Sequence, residues 1–142
     1  MAAAIKLDCA IYLQPPSAMD RVAIAGIVAQ VLGAPTDCSA PSPTIATDDC
    51  EIEVRINEDF DAIRTAEFPD GFLWSQFKLE MFARPNKVVP VEIVSRLLNW
   101  FWSNGWSAVA ACDFEDQLPS RGGYKDREAY GLRHSAPSSA AS

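Results

Sequence analysis

Residues 5–13 read IKLDCAIYL, and residues 17–32 read SAMDRVAIAGIVAQVL. Apolar side chains alternate with others in the first stretch, and a period of two residues indicates a strand with one buried face. The second stretch is strongly apolar, follows a possible helix cap at Ser17, and ends before Gly33, a residue that favours helix C-termini. These features predict a first strand over 4–13 and a helix over 17–32.

The same two patterns return further along the chain. Alternating apolar side chains predict strands over 50–57, 72–83 and 106–114. Apolar residues at helical spacing predict a second helix over 90–104, with proline at its first turn. Residues 34–48 are rich in Pro, Ser and Thr, which predicts an irregular loop.

The resulting order is strand, helix, strand, strand, helix, strand, which is the ferredoxin-like βαββαβ arrangement. We therefore predict an α+β fold in which a four-stranded antiparallel sheet carries two helices on one face and leaves its other face open. A chain of 142 residues suits a single domain. We place that domain at residues 1–119 and predict a polar, flexible tail over 120–142.

Charge narrows the classes of partner. The chain has 12 Lys and Arg against 19 Asp and Glu, a net charge of −7. An acidic surface repels nucleic acid and anionic membranes and attracts basic proteins, although acidity also serves solubility alone. The N-terminus lacks a secretory signal pattern, and the apolar stretch over 22–32 is too short to span a bilayer. We expect a cytoplasmic protein with a basic protein partner, bound to neither nucleic acid nor membrane.

Outward-facing side chains of the predicted sheet and the acidic end of the fourth strand are the candidate partner contacts. The set is Asp8, Tyr12, Glu51, Glu53, Trp74, Glu80, Asp113, Glu115 and Asp116. Charged and aromatic side chains together are typical of a binding surface with an apolar centre and a polar rim, but a merely solvated face would also show them. The polar connection over 58–71 is a further candidate, because long ordered loops commonly carry binding residues.

No catalytic motif stands out. The chain has one histidine, His134, in the predicted tail, which argues against Ser–His and Cys–His pairs. Its four cysteines lack zinc-site spacing, and we expect free thiols, with a Cys38–Cys50 disulfide as the open alternative. We predict no enzymatic activity, no catalytic residues, no cofactor and no metal. A metal enzyme using the carboxylates within 113–116 is the competing hypothesis.

Residues 110–119 read AACDFEDQLP. Together with the size, acidity and α+β layout of the chain, this stretch makes residues 4–124 resemble the small immunity proteins of bacterial toxin–immunity systems. These include the proteins that protect against polymorphic and contact-dependent toxins. The resemblance implies a cytoplasmic, non-enzymatic protein that binds a toxin domain and blocks its active site. Acidic side chains would mimic a phosphate chain or pair with the toxin's Lys and Arg.

A dimeric ferredoxin-like domain is the alternative function. There the open sheet face would meet a second copy, and a small molecule would bind near Tyr12, Phe72 and Trp74. The sequence leaves both a monomer and a homodimer open.

Overall fold

The computed structural model describes residues 7–39 and 41–124. The strands are β1 (Leu7–Gln14), β2 (Thr36–Asp37), β3 (Thr44–Ala46), β4 (Cys50–Ile56), β5 (Phe77–Ala83) and β6 (Ser107–Cys112), and the helices are α1 (Arg21–Leu32) and α2 (Val91–Ser103). Every pairing is antiparallel, in the order β2-β3-β4-β5-β1-β6. The α+β prediction is confirmed. The four-stranded ferredoxin-like sheet is wrong, because β2 and β3 extend the sheet beyond β4.

One hydrophobic core lies between the sheet and the two helices. Alternate residues of β1, β4 and β5 point into it, as the period of two requires. Helix α1 contributes Ile24 and Val28, and α2 contributes Leu97, Leu98 and Phe101, all fully buried in the same cluster. Both helices therefore cover one face of the sheet, and the opposite face is mostly half-buried or exposed. We call that opposite face the open face.

Helix α1 begins four residues later than the sequence predicts. Its cap is Asp20, whose Oδ1 accepts a hydrogen bond from the backbone N–H of Ala23 at 2.9 Å, and Ser17 lies outside the helix. A carboxylate is as good a cap as a hydroxyl and also favours the positive helix end. At the other end Gly33 adopts φ 64°, as predicted for a C-terminal glycine.

Replacing Asp20 with Ala should lower the free energy of unfolding by about 1 kcal/mol, because the N–H of Ala23 loses its acceptor. Replacing Ser17 with Ala should leave stability unchanged. Urea unfolding of the two variants measures the difference, and equal losses for both would show that Asp20 is not the cap.

The predicted irregular loop over 34–48 contains regular structure. Strands β2 and β3 form a short hairpin there, and β3 pairs with β4 through Ile45 and Ile52. Ile45 is fully buried and supplies the apolar contact that holds this edge of the sheet. A single apolar residue among prolines and serines gives no periodic pattern, and for this reason the sequence did not indicate the hairpin.

The predicted third strand also changes. It begins at Phe77 rather than at residue 72, and residues 70–74 form a 3-10 helical turn. Gly71 explains the difference, since a Cβ there would lie 2.6 Å from the carbonyl oxygen of Thr65. Only glycine permits this close approach of two backbone segments. Trp74 is consequently not a sheet residue.

The segment after β6 packs along the edge of that strand. Leu118 is buried in the core, and Gly122 lies so close to β6 that a Cβ would sit 3.0 Å from the carbonyl oxygen of Ala110. Residues 120–124 thus continue against the domain, and the rest of the predicted tail lies outside the described residues. Neither described helix has the length and apolar character needed to cross a membrane.

Candidate binding surface

The chain between β4 and β5, residues 57–76, forms an ordered excursion from the sheet. Its two ends are joined by Asn57, which is 2% exposed. The Nδ2 of Asn57 donates to the carbonyl oxygens of Leu73 and Ser75 at 3.0 and 2.7 Å. Its Oδ1 accepts from the backbone N–H of Asp59 at 3.1 Å. One buried amide therefore holds the segment closed with three hydrogen bonds.

Inside the excursion, Asp61 organises a first 3-10 turn, Arg64–Ala66. Its Oδ1 accepts from the N–H groups of Arg64 and Ile63 at 3.0 and 2.9 Å. These hydrogen bonds, that of Arg64 first, lower the pKa of the Asp61 carboxyl below its usual value. The Arg64 guanidinium lies 4.8 Å from the centre of the Trp74 ring, and the N–H of Asp61 donates to the Trp74 carbonyl oxygen. The two turns are thus fixed against each other.

The outer surface of the excursion combines exposed apolar side chains with carboxylates. Ile63 is 82% exposed, and the other large apolar side chains exposed here are Phe60, Phe68 and Leu73, with Ile56 adjoining at the end of β4. The carboxylates of the same segment are Glu58, Asp59, Asp61, Glu67 and Asp70, and Arg64 is its only basic residue. Exposed apolar side chains that share one segment with several carboxylates make it a candidate interaction surface.

Aromatic contacts attach the excursion to the open face. Phe72 packs edge-on against Tyr12 of β1, with ring centroids 5.3 Å apart. Tyr124 packs against Phe72 in turn, and its hydroxyl donates to the Oδ1 of Asp70 at 2.9 Å. Hydrogen bonding to Asp70 raises the pKa of Tyr124. Tyr12 and Phe72, two of the three residues near which the sequence suggested a small-molecule site, therefore pack directly against each other.

Two of the predicted contacts, Glu53 and Glu80, lie on the open face. Together with Arg55 and Lys78 they form a group of four charged side chains that we call the charge quartet. Glu53 and Glu80 lie opposite each other across β4 and β5, as do Arg55 and Lys78. Arg55 contacts Glu53 at 3.2 Å and Glu80 at 3.6 Å, and Lys78 contacts Glu80 at 3.6 Å. The four formal charges cancel, so these carboxylates give the open face no net negative charge. Such partly exposed pairs add little stability.

Asp8 and Asp113 come together at the far end of the sheet from the excursion. Both line an open cleft of about 340 Å³ with Val88, Val89, Pro90, Val91, Phe114 and Gln117. Glu51 lies at the start of β4, also away from the excursion. Neither Asp8 nor Glu51 makes a salt bridge within the described part of the chain.

The carboxylates that follow β6 do not converge on a metal. The Oε2 of Glu115 accepts from the backbone N–H of Cys112 at 3.0 Å, which gives this residue an internal structural contact. Asp116 is exposed at the surface. Within residues 7–39 and 41–124, no three His, Cys, Asp or Glu side chains are arranged to hold a metal ion.

The nine predicted contacts thus lie in three places: at the excursion, in the charge quartet, and at the end of the sheet opposite the excursion. Only Tyr12 and Trp74 lie at the excursion. Its exposed apolar residues were not among the predicted contacts, although isolated apolar residues between carboxylates in 58–68 were a visible signal. Trp100 is half-buried in a groove between the two helices.

Searches of protein-family models, of curated protein sequences and of solved structures find no match to this chain.

Proposed function

We propose that this chain is a non-enzymatic immunity protein that binds a basic toxin domain and neutralises it, with the excursion as its principal contact. One observation carries the proposal: Ile63 and its apolar neighbours stand exposed among five carboxylates on a segment held by internal hydrogen bonds. Holding apolar side chains in water brings no folding stability, but it prepares anchors for a partner.

The chemistry of the excursion fits a basic protein surface. Toxin domains that act on nucleic acid need Lys and Arg to hold phosphates, and a row of carboxylates presents similar negative charge. Opposite charges speed the encounter, while buried apolar anchors slow dissociation. Binding across such a site would exclude the toxin's substrate and stop its activity without any reaction on the chain.

The excursion fits this role better than the charge quartet. No excursion carboxylate forms a salt bridge in the portion of the chain that the structure describes, whereas Glu53 and Glu80 are already paired. A partner's Arg that approached Glu80 would meet Arg55 and Lys78 as like charges. We therefore assign the quartet a peripheral part and the excursion the central one.

Co-expression with a toxin-like domain, taken from a neighbouring gene that encodes one, tests the proposed function. We expect the chain to restore growth and to co-purify with that domain. The association rate should fall steeply as salt rises, because charge attraction is screened. Unchanged toxicity in the presence of folded chain would rule the proposal out.

Replacing Ile63 with Ala should raise the Kd for the toxin domain about 30-fold, since the loss of a central apolar anchor costs roughly 2 kcal/mol of binding free energy. Folding stability should change by less than about 0.5 kcal/mol, because the side chain is exposed. Titration calorimetry and urea unfolding measure the two effects.

Val22 provides a matched control. It is 54% exposed on α1, and Val22→Ala also removes part of a branched side chain from the surface. We expect its Kd to equal that of the unaltered chain. If Val22→Ala weakened toxin binding and Ile63→Ala did not, the interface would lie outside the excursion.

A further inference from the structure

Two cysteines face each other across the strands at one edge of the sheet. Cys9 of β1 and Cys112 of β6 are direct partners in the antiparallel register. Cys9 is 1% exposed within the core, while Cys112 is half-buried on the terminal strand of the sheet. Neither takes part in the surface proposed above, so the pair is an independent feature.

Backbone hydrogen bonding identifies the type of strand pair. In a hydrogen-bonded pair the two residues exchange both N–H···O bonds, but the N–H of Cys112 donates to Glu115 instead. The carbonyl of Ala108, four residues earlier on the same strand, likewise points away from β1 and accepts from the indole N–H of Trp102 at 2.9 Å. Cys9 and Cys112 therefore form a non-hydrogen-bonded pair.

That pair type brings two thiols within bonding reach. Its Cα atoms are separated by about 4.5 Å. A disulfide needs roughly 4.4–6.8 Å between Cα atoms, so the spacing of this pair is compatible with one. All four cysteines are free in the structure, including Cys38 and Cys50, so the open Cys38–Cys50 alternative is not realised.

The two thiols differ in acidity. A hydrogen bond from the Cys9 thiol lowers the pKa of Cys112, and the N–H of Phe114 acts in the same direction, against burial and the carboxylates of Glu115 and Asp113. The pKa of Cys9 is raised by that shared hydrogen bond and by burial. Cys112 is thus the more readily deprotonated sulfur, and it is also the more exposed of the two.

We propose that Cys9 and Cys112 form an oxidation site that closes into a disulfide between β1 and β6 when the protein meets a peroxide. The Cys112 thiolate attacks one peroxide oxygen, and the O–O bond breaks. Hydroxide is released, and Cys112 becomes a sulfenic acid. The Cys9 sulfur then attacks the Cys112 sulfur. The S–O bond breaks, and the hydroxyl departs as water with the Cys9 proton. The sulfurs together lose two electrons to the peroxide.

The test treats the folded full-length chain carrying Cys38→Ser with hydrogen peroxide and then alkylates it under denaturing conditions. This variant removes the exposed thiol and leaves three. We expect two of those three thiols to become unreactive, and a non-reducing peptide map to show Cys9 linked to Cys112. Dithiothreitol should restore both thiols, and far-UV circular dichroism should not change.

Single replacements separate the roles of the two sulfurs. With Cys9→Ala, dimedone should trap a sulfenic acid on Cys112, because no resolving thiol remains. With Cys112→Ser, Cys9 should stay alkylatable. Since Cys9 is buried and its variant could fail to fold, the peptide map and Cys112→Ser suffice to decide. Free Cys9 and Cys112 after peroxide treatment, or a disulfide that contains Cys50, would overturn the proposal.

Discussion

Replacing Phe101 with Ala is expected to lower the free energy of unfolding by about 4 kcal/mol. Phe101 is fully buried in α2, and its ring lies 5.0 Å from that of Trp106 and 5.7 Å from that of Trp100. Truncation removes the apolar transfer energy of the ring and leaves a cavity between the helix and the sheet. The free energy of unfolding of a single domain is commonly only about 5–15 kcal/mol, so this variant should lose a large part of its stability.

Urea unfolding followed by far-UV circular dichroism is the appropriate measurement. Tryptophan fluorescence alone is unsuitable, because Trp100 and Trp106 touch the altered residue and would report local changes. Phe101→Leu should lose less, since it retains most of the volume. Val22→Ala, on the exposed side of α1, should change stability by under about 0.5 kcal/mol. A loss below about 1 kcal/mol for Phe101→Ala would contradict this packing.

The elements that contribute most to this core were the ones that the sequence predicted well. Leu97, Leu98 and Phe101 recur at helical spacing, and α2 appears as Val91–Ser103 within the predicted 90–104. Strand β4 (Cys50–Ile56) likewise buries Cys50, Ile52 and Val54 in alternation, although Ile56 at its end is exposed. In both α2 and β4, several apolar side chains enter the core at regular spacing, so the sequence pattern alone indicates which residues are buried.

Prediction failed where a non-local contact decides the backbone. Residues 72–74 alternate like a strand, yet they belong to a turn fixed by Gly71 against the carbonyl of Thr65. Ser17 and Asp20 are both suitable caps, and spacing alone does not choose between them. Ile45 completes a hairpin only because Ile52 stands beside it in β4.

The candidate binding surface was likewise predicted only in part. Outward positions for Glu53 and Glu80 follow from strand periodicity, but their neutralisation by Arg55 and Lys78 depends on the register between two strands. The pairing register of two strands cannot be predicted from the sequence of either strand alone. Exposure of Ile63 similarly results from how the excursion closes on itself, which the sequence of 58–71 does not specify.

Replacing Asn57 with Ala should lower the free energy of unfolding by about 3 kcal/mol, because it leaves buried backbone groups without partners. The carbonyls of Leu73 and Ser75 lose their donor, and the N–H of Asp59 loses its acceptor. Asn57→Asp is nearly isosteric, yet it should cost more, since it places a carboxylate against two carbonyl oxygens.

Asn104→Ala is the matched control. Asn104 also donates through Nδ2 to a carbonyl, that of Trp100 at 2.8 Å, but it is exposed at the end of α2, where water can replace the bond. We expect a loss of under about 1 kcal/mol by urea unfolding. Equal losses for Asn57→Ala and Asn104→Ala would show that the buried amide does not hold the excursion.

The same variant connects stability with function. If Asn57 fixes the excursion, Asn57→Ala should weaken binding of the proposed toxin partner under conditions where the core remains folded, because the exposed apolar side chains lose their fixed positions. Hydrogen exchange should then increase within 57–76 and remain slow in β1 and α2. Faster exchange throughout the chain would instead indicate that Asn57 supports the whole core, and weakened binding would carry no information about the excursion.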